Sequence, residues 1–257
     1  MVHSHPSRLT PARCLLTCAV LLAAGVPAAA AAIFDTEVSF GGNLAVTSDY
    51  IYRGVSESDG RAALQADLHV DTPGGTFGGV WASTRERRLE PGAGYDMEAY
   101  LGHRFELSTT WSATLDARSH YFLGGGAEAS DDYQELSAAL NWADRWSVSV
   151  SAIPNAVRYW YYTRQSRCPA WITDTAGQWL IGAGLSVTAG AGYYRSTGTG
   201  PGRFAATGYA YGNAGLAYER HGWRVDVGYF LAESQAQELF PYPIANRKVA
   251  GTLSWHF

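Results

Sequence analysis

The stretch Asn43–Val70, NLAVTSDYIYRGVSESDGRAALQADLHV, decides the fold. Leu44, Val46, Ser48, Tyr50 and Tyr52 take alternate positions; Asn43, Ala45, Thr47, Asp49, Ile51 and Arg53 take those between. After a polar segment, Gly54–Gly60, the alternation resumes. Leu64, Ala66, Leu68 and Val70 share one face, and Gln65, Asp67, His69 and Asp71 the other. Side chains alternate along a strand, so this reads as two strands joined by an outer loop, each with an apolar and a polar side. A soluble sandwich shows the same alternation. In a membrane barrel the apolar face meets lipid and the polar face lines the lumen.

The rest of the chain favours the barrel. Arg8 and Arg13, the apolar run Cys14–Val26 and the alanines Ala28–Ala32 predict a secretory signal over residues 1–32, with the barrel domain over 33–257. Removing Arg8 and Arg13 takes Lys+Arg from 19 to 17 against 23 Asp+Glu, a net charge of −6 with no nucleic-acid footprint. Cys168 is then the one cysteine, which excludes an intramolecular disulfide and a cysteine metal site. Charged residues are 16% and aromatics 13%, low and high for a soluble domain. No apolar run after residue 32 reaches the roughly 18 residues of a membrane helix. Spanning then requires a closed barrel, because lipid satisfies no backbone hydrogen bonds.

Alternation continues downstream. Met97, Leu101 and Phe105 oppose Glu98, Arg104 and Glu106; Trp111, Leu115 and Tyr121 oppose Asp116, Arg118 and His120. Leu136, Leu140 and Trp142 oppose Glu135, and Trp223, Val225 and Val227 oppose Arg224 and Asp226. Tyr50, Tyr52, Trp111, Tyr121, Trp142, Trp146 and Trp223 end apolar faces, where the aromatic girdles of a membrane barrel belong. Short links at Thr72–Gly75, Glu106–Thr109, Ala143–Arg145, Gly184–Ser186 and Arg220–Gly222 alternate with longer ones at Gly54–Gly60, Glu86–Gly94, Gly124–Ser130, Arg164–Ile172, Ser196–Ala206 and Glu233–Asn246. That predicts a twelve-stranded, all-β, transmembrane antiparallel up-and-down β-barrel with periplasmic termini. Leu253, Trp255 and Phe257 form a final apolar face of the kind the barrel-assembly machinery reads, which makes that machinery and outer-membrane lipid the expected partners.

Ser48, Asp49, Tyr50, Arg53, Gly54, Ser56, Gln65, Trp81 and Ser83 carry a resemblance to the TorF-type porins, proteobacterial envelope proteins of poorly defined function. The resemblance covers about the first fifth of the chain. It implies an outer-membrane barrel of a Gram-negative bacterium with a channel role, and no defined substrate.

The expected lumen lining is Asp49, Arg53, Gln65, Asp67, His69, Glu98, Arg104, Asp116, Arg118, His120, Glu135, Arg224, Asp226 and Lys248. Both signs are present, so no strong anion selectivity is expected. Twelve strands leave a narrow interior, which long side chains can bridge. His120 with Asp116, and His69 with Asp67 or Asp71, are the best catalytic groupings, but neither sits in a recognisable motif. No metal-ligand spacing stands out and no cofactor is expected. Three functions follow, in order: a narrow channel for small polar solutes, a plugged barrel with a structural or adhesive role, and an outer-membrane lipid hydrolase.

Overall fold

The computed structural model describes residues 38–85, 94–123, 132–160, 163–198, 205–240 and 245–257. The expected signal over 1–32 lies outside them, as do Tyr162, Pro241, Tyr242, Pro243 and most of the expected loops at 86–94 and 124–130. The strands are β1 (Ser39–Thr47), β2 (Ile51–Tyr52), β3 (Val55–Ser56), β4 (Ala63–Asp71), β5 (Thr76–Thr84), β6 (Tyr95–Glu106) and β7 (Trp111–Leu123). Then follow β8 (Tyr133–Trp142), β9 (Trp146–Trp160), β10 (Thr163–Gly182), β11 (Leu185–Ser196), β12 (Thr207–Arg220), β13 (Trp223–Ala232) and β14 (Lys248–His256). Among the described residues a short helix, α1 (Ala236–Leu239), precedes β14.

Twelve of these strands close into one antiparallel barrel in up-and-down order, and β2 and β3 form a separate small hairpin. β1 closes the ring by pairing with β4 on one side and β14 on the other. Beyond β14, Phe257 extends the closure, exchanging backbone hydrogen bonds with Gly42 at 3.0 and 3.1 Å. A closed wall leaves no unpaired strand edge in lipid.

The outside is apolar. Leu44, Leu64, Leu101, Leu115, Leu136, Val227 and Val249 are among many exposed large side chains on the wall. Trp111, Trp142, Trp223 and Trp255 are exposed too. Trp223 and Trp255 stack with centroids 6.3 Å apart where their strands pair. The inside is polar through the middle of the wall, where Ser83, Asp96, Glu98, Ser112, His120, Glu135 and Ser151 are buried. This is the inverse of a soluble core and belongs to a barrel in a membrane.

Five tight turns lie at one end, with the start of β1 and the end of β14; we call it the turn end and the other the loop end. At the turn end Arg220 pairs with Trp223, and the two residues between, His221 and Gly222, have φ of 51° and 79°. That is the type I′ hairpin geometry, whose twist matches that of the strands.

Two expectations need correction. The first strand does not run on to Arg53. It ends at Thr47, and the segment 48–62 leaves the wall and folds into the barrel, with Asp49, Tyr50, Val55, Ser56 and Ser58 buried. Tyr50 and Tyr52 are therefore inside the barrel and not in a lipid-facing girdle. The second correction concerns Arg164–Ile172, expected as a loop. It is part of β10 and pairs with β9 around two register shifts, one at Gln165 and one at Pro169. A bulge is how a strand accommodates a proline that has no N–H to give the ladder. Here Cys168, Ala170 and Ile172 are buried while Trp171 is exposed, so the apolar face near the loop end points inward. Ala170 and Ile172 pack with Val55, Ile153, Ala156, Tyr194, Tyr209, Ala236 and Leu239 in an apolar cluster inside the barrel.

Candidate functional site

The segment 48–62 acts as a plug, and its tip is the turn of the β2–β3 hairpin. Ile51 pairs with Ser56 and Tyr52 with Val55, so Arg53 and Gly54 are the two turn residues. Their φ of 48° and 77° make another type I′ turn. Gly54 is required twice over. Its φ is in the left-handed region, and a Cβ there would lie 2.7 Å from the Ala232 Cβ and 2.8 Å from the Tyr211 Cβ. The plug tip is thus pressed against β12 and β13, three and two strands round the ring from β1.

Side chains then fasten it. Arg53 Nη1 and Nη2 donate to Glu135 Oε2 and Oε1 at 2.9 and 2.6 Å, a bidentate pair to β8 with both partners largely buried. The Arg53 guanidinium lies 4.7 Å from the Tyr52 ring centroid, and its carbonyl accepts from the Tyr209 hydroxyl at 2.9 Å. At the root, Asp49 Oδ1 accepts from Ser56 and Ser58 at 2.6 and 3.0 Å, and Oδ2 accepts from Lys248 Nζ at 3.0 Å. Lys248 is the chain's one lysine. Tyr50 donates to Asp96 Oδ2 at 3.1 Å and packs on Trp81, and Glu57 pairs with Arg85. Burial holds the Tyr50 and Tyr52 phenols well above their ordinary range, with Asp96 pushing Tyr50 further. Both stay neutral donors at any physiological pH.

The other predicted residues fall into three groups. On the wall toward the turn end, Asp67, His69, Glu98 and Arg118 line a cavity of about 450 Å³ with Trp81 and Tyr100. Asp67 bridges there, accepting from Tyr100 at 2.8 Å while its Oδ1 lies 2.6 Å from His69 Nδ1. Arg118 donates to Asp116 at 2.7 Å and reaches Glu98 at 3.5 Å. Gln65, Asp49 and Asp226 line a second cavity of about 350 Å³. Arg224 makes a bidentate pair with Asp226 at 2.7 and 2.8 Å and donates to Gln178 at 3.0 Å. Arg104 borders a third cavity, of about 470 Å³, and pairs with Glu106 and Asp144 in an exposed position.

His120 stands apart. It is 1% exposed and stacks on Tyr133 at 4.1 Å, with neither ring nitrogen hydrogen-bonded. An unmatched buried polar atom costs about 1–3 kcal/mol. The catalytic grouping of His120 with Asp116 is not assembled, since Asp116 serves Arg118. The His69–Asp67 contact exists, but the other ring nitrogen faces Asp71 Oδ2 at 3.7 Å and not a hydroxyl.

Lined up along the lumen, these contacts divide it. The plug, the apolar cluster and α1 lie on the loop-end side, where a cavity lined by Tyr52, Arg53, Glu57, Tyr133 and Tyr209 is about 70 Å³. Sequence reasoning found most of the charges but missed Glu57, Arg85, Asp96, Tyr133 and Tyr209. The available signal was Ser48, a polar residue at an otherwise lipid-facing position, which marks where the strand ends.

A closed twelve-stranded barrel with an apolar exterior, a charged interior and an inward-folded segment is a membrane β-barrel. The chain belongs to the family described as "Bacterial protein of unknown function (Gcw_chp)", whose model matches residues 31–250. No curated protein matches it. Among solved structures it is similar to the NanC porin, at TM-score 0.53 and 10% identity over 84% of this chain and 98% of that one. It is also similar to the KdgM porin, at TM-score 0.50 and 9% identity over the same shares. At such identities the likeness is one of fold.

Proposed function

We propose that this protein is an outer-membrane channel of a Gram-negative bacterium for small polar solutes, of the TorF type, whose bore is set by the plug 48–62. The observation that carries the reading is the contrast between the two halves of the lumen. Toward the turn end, charge-lined cavities of about 450 and 470 Å³ are large enough for a small polar solute. Toward the loop end, the cavity beside the plug, closed in by its ion pairs, is about 70 Å³. Conduction then depends on the plug's position, and both acidic and basic groups meet the solute. The turn end with both termini faces the periplasm in this reading. Leu253, Trp255 and Phe257, all exposed on the closing strand, are what the assembly machinery and the lipid meet.

A second reading, a permanently plugged barrel with a structural or adhesive role, is favoured by the apolar cluster that packs Val55 of the plug against the wall. Planar-bilayer recording separates the two. A conducting pore gives discrete current steps from the folded, heat-modifiable barrel, larger in a variant lacking residues 50–58. If both proteins fold and neither shows steps, the channel reading is wrong.

A further inference from the structure

We propose that Asp96, Glu98 and His120 form a binding site for a divalent first-row transition metal, zinc or manganese in type, inside the barrel wall beneath the plug. Their ligating atoms all lie within 4.8 Å of one another, and all three residues are buried. Asp96 and Glu98 are alternate residues of β6, so both carboxylates point inward; Glu98 is registered opposite His120 of β7. His120 Nδ1 lies 3.4 Å from Glu98 Oε1 without hydrogen-bond geometry.

The second observation is the imidazole itself. A histidine 1% exposed with both ring nitrogens unmatched is an anomaly for an interior polar group. A neutral imidazole is also the commonest metal ligand. A cation between it and the two carboxylates takes up one nitrogen lone pair and meets two anionic oxygens at once. Donors on one ion sit roughly 3–4 Å apart, so about an ångström of side-chain adjustment closes the set. One nitrogen and two carboxylates suit zinc, manganese or ferrous iron over calcium or magnesium, which take oxygen ligands.

The surroundings fit. Asp96 Oδ2 already accepts from Tyr50 of the plug, and Glu98 Oε2 lies 3.5 Å from Arg118 Nη1, so partners outside the set orient both carboxylates. The stacked Tyr133 ring fixes the imidazole plane. Glu98 lines the cavity of about 450 Å³ toward the turn end, which gives a hydrated ion a way in. Asp96 lines the small loop-end cavity beside the plug. A bound ion would therefore join the wall to the plug through Asp96 and Tyr50, whether or not the barrel conducts.

The test uses the refolded barrel in detergent, stripped with chelator and dialysed against zinc or manganese chloride alone, with bound metal measured by mass spectrometry. One equivalent is expected, falling below a tenth in His120→Ala and in Glu98→Gln. Each variant is first checked for heat-modifiable migration. No stoichiometric uptake by the folded wild type overturns the site, as does uptake unchanged in a folded His120→Ala. Should neither variant fold, X-ray absorption of the cobalt-loaded wild type decides. Imidazole scattering from one ligand supports the assignment, and a shell of oxygen alone refutes it.

Discussion

Arg53→Ala is the most informative perturbation of the plug. Arg53 is 12% exposed and Glu135 3%, and the two meet through a pair of short, parallel hydrogen bonds. Removing one member of a buried ion pair typically costs about 3–5 kcal/mol, mostly because the other charge stays buried and unpaired. Glu135 would keep hydroxyl partners such as Ser137 at 3.3 Å but no cation in Arg53's place. Taking about 3 kcal/mol as acting on plug docking, each 1.4 kcal/mol is a factor of ten, so the undocked population rises roughly a hundredfold. The assay is the labelling rate of a cysteine placed at Ser56, which is 1% exposed when docked. It is run with Cys168→Ser as background and a maleimide as reagent. While docking outpaces labelling, the rate follows the undocked population. The double variant Arg53→Met with Glu135→Leu should restore slow labelling, because replacing both members of a buried pair by apolar residues of similar volume is often neutral. A labelling rate within threefold of wild type in a folded Arg53→Ala barrel would refute the idea that this pair holds the plug.

Two further outcomes follow. Gly54→Ala must adopt a left-handed backbone at a cost of roughly 1–2 kcal/mol and meet Ala232 and Tyr211 at 2.7 and 2.8 Å. It should speed Ser56 labelling while leaving the melting of the barrel wall, read by heat-modifiable migration, within a few degrees. Leu101→Arg places a charge mid-strand on the outer face, where Leu101 is 63% exposed. It should destabilise the barrel in lipid vesicles by about 2–4 kcal/mol in urea titration. An equal effect of Ser137→Arg on the inner face would contradict the assigned facing.

The wall was legible because period two is a strong signal wherever one face meets lipid. Leu64, Leu101, Leu136 and Val227 obey it, and the five tight turns fall where Gly, Asp and Ser interrupt it. The plug was not, because Tyr50 and Tyr52 continue the same alternation on a hairpin that faces no lipid. Only Ser48 breaks the pattern, and one residue is thin evidence for a strand end. Arg53–Gly54 carries the backbone requirement of a type I′ turn without the Asn-Gly or Asp-Gly pair that usually announces one. The inward apolar face of Cys168, Ala170 and Ile172 was hidden for a related reason. It packs on the plug, so its facing could not be read before the plug was seen. The partners of the charged residues are set by cross-barrel distance, as between Arg53 and Glu135, 82 residues apart. No spacing in the sequence encodes that. The Asp96, Glu98 and His120 grouping is likewise a product of strand register, which joins residues on two different strands.

The plug's root touches the place where the cylinder shuts. Lys248 opens β14 and binds Asp49 at the root, and just before it the Ala245 amide donates to the carbonyl of Gly54 at the plug's tip at 2.7 Å. Ser48 and Gly251 exchange hydrogen bonds across the same line, through the Ser48 amide at 2.8 Å and its hydroxyl at 2.9 Å. None of these contacts can form until the last thirteen residues have arrived beside the first strand. Folding is thereby ordered in time. In an unfinished cylinder the plug's root lacks these contacts, and its seat is completed only when β14 pairs with β1.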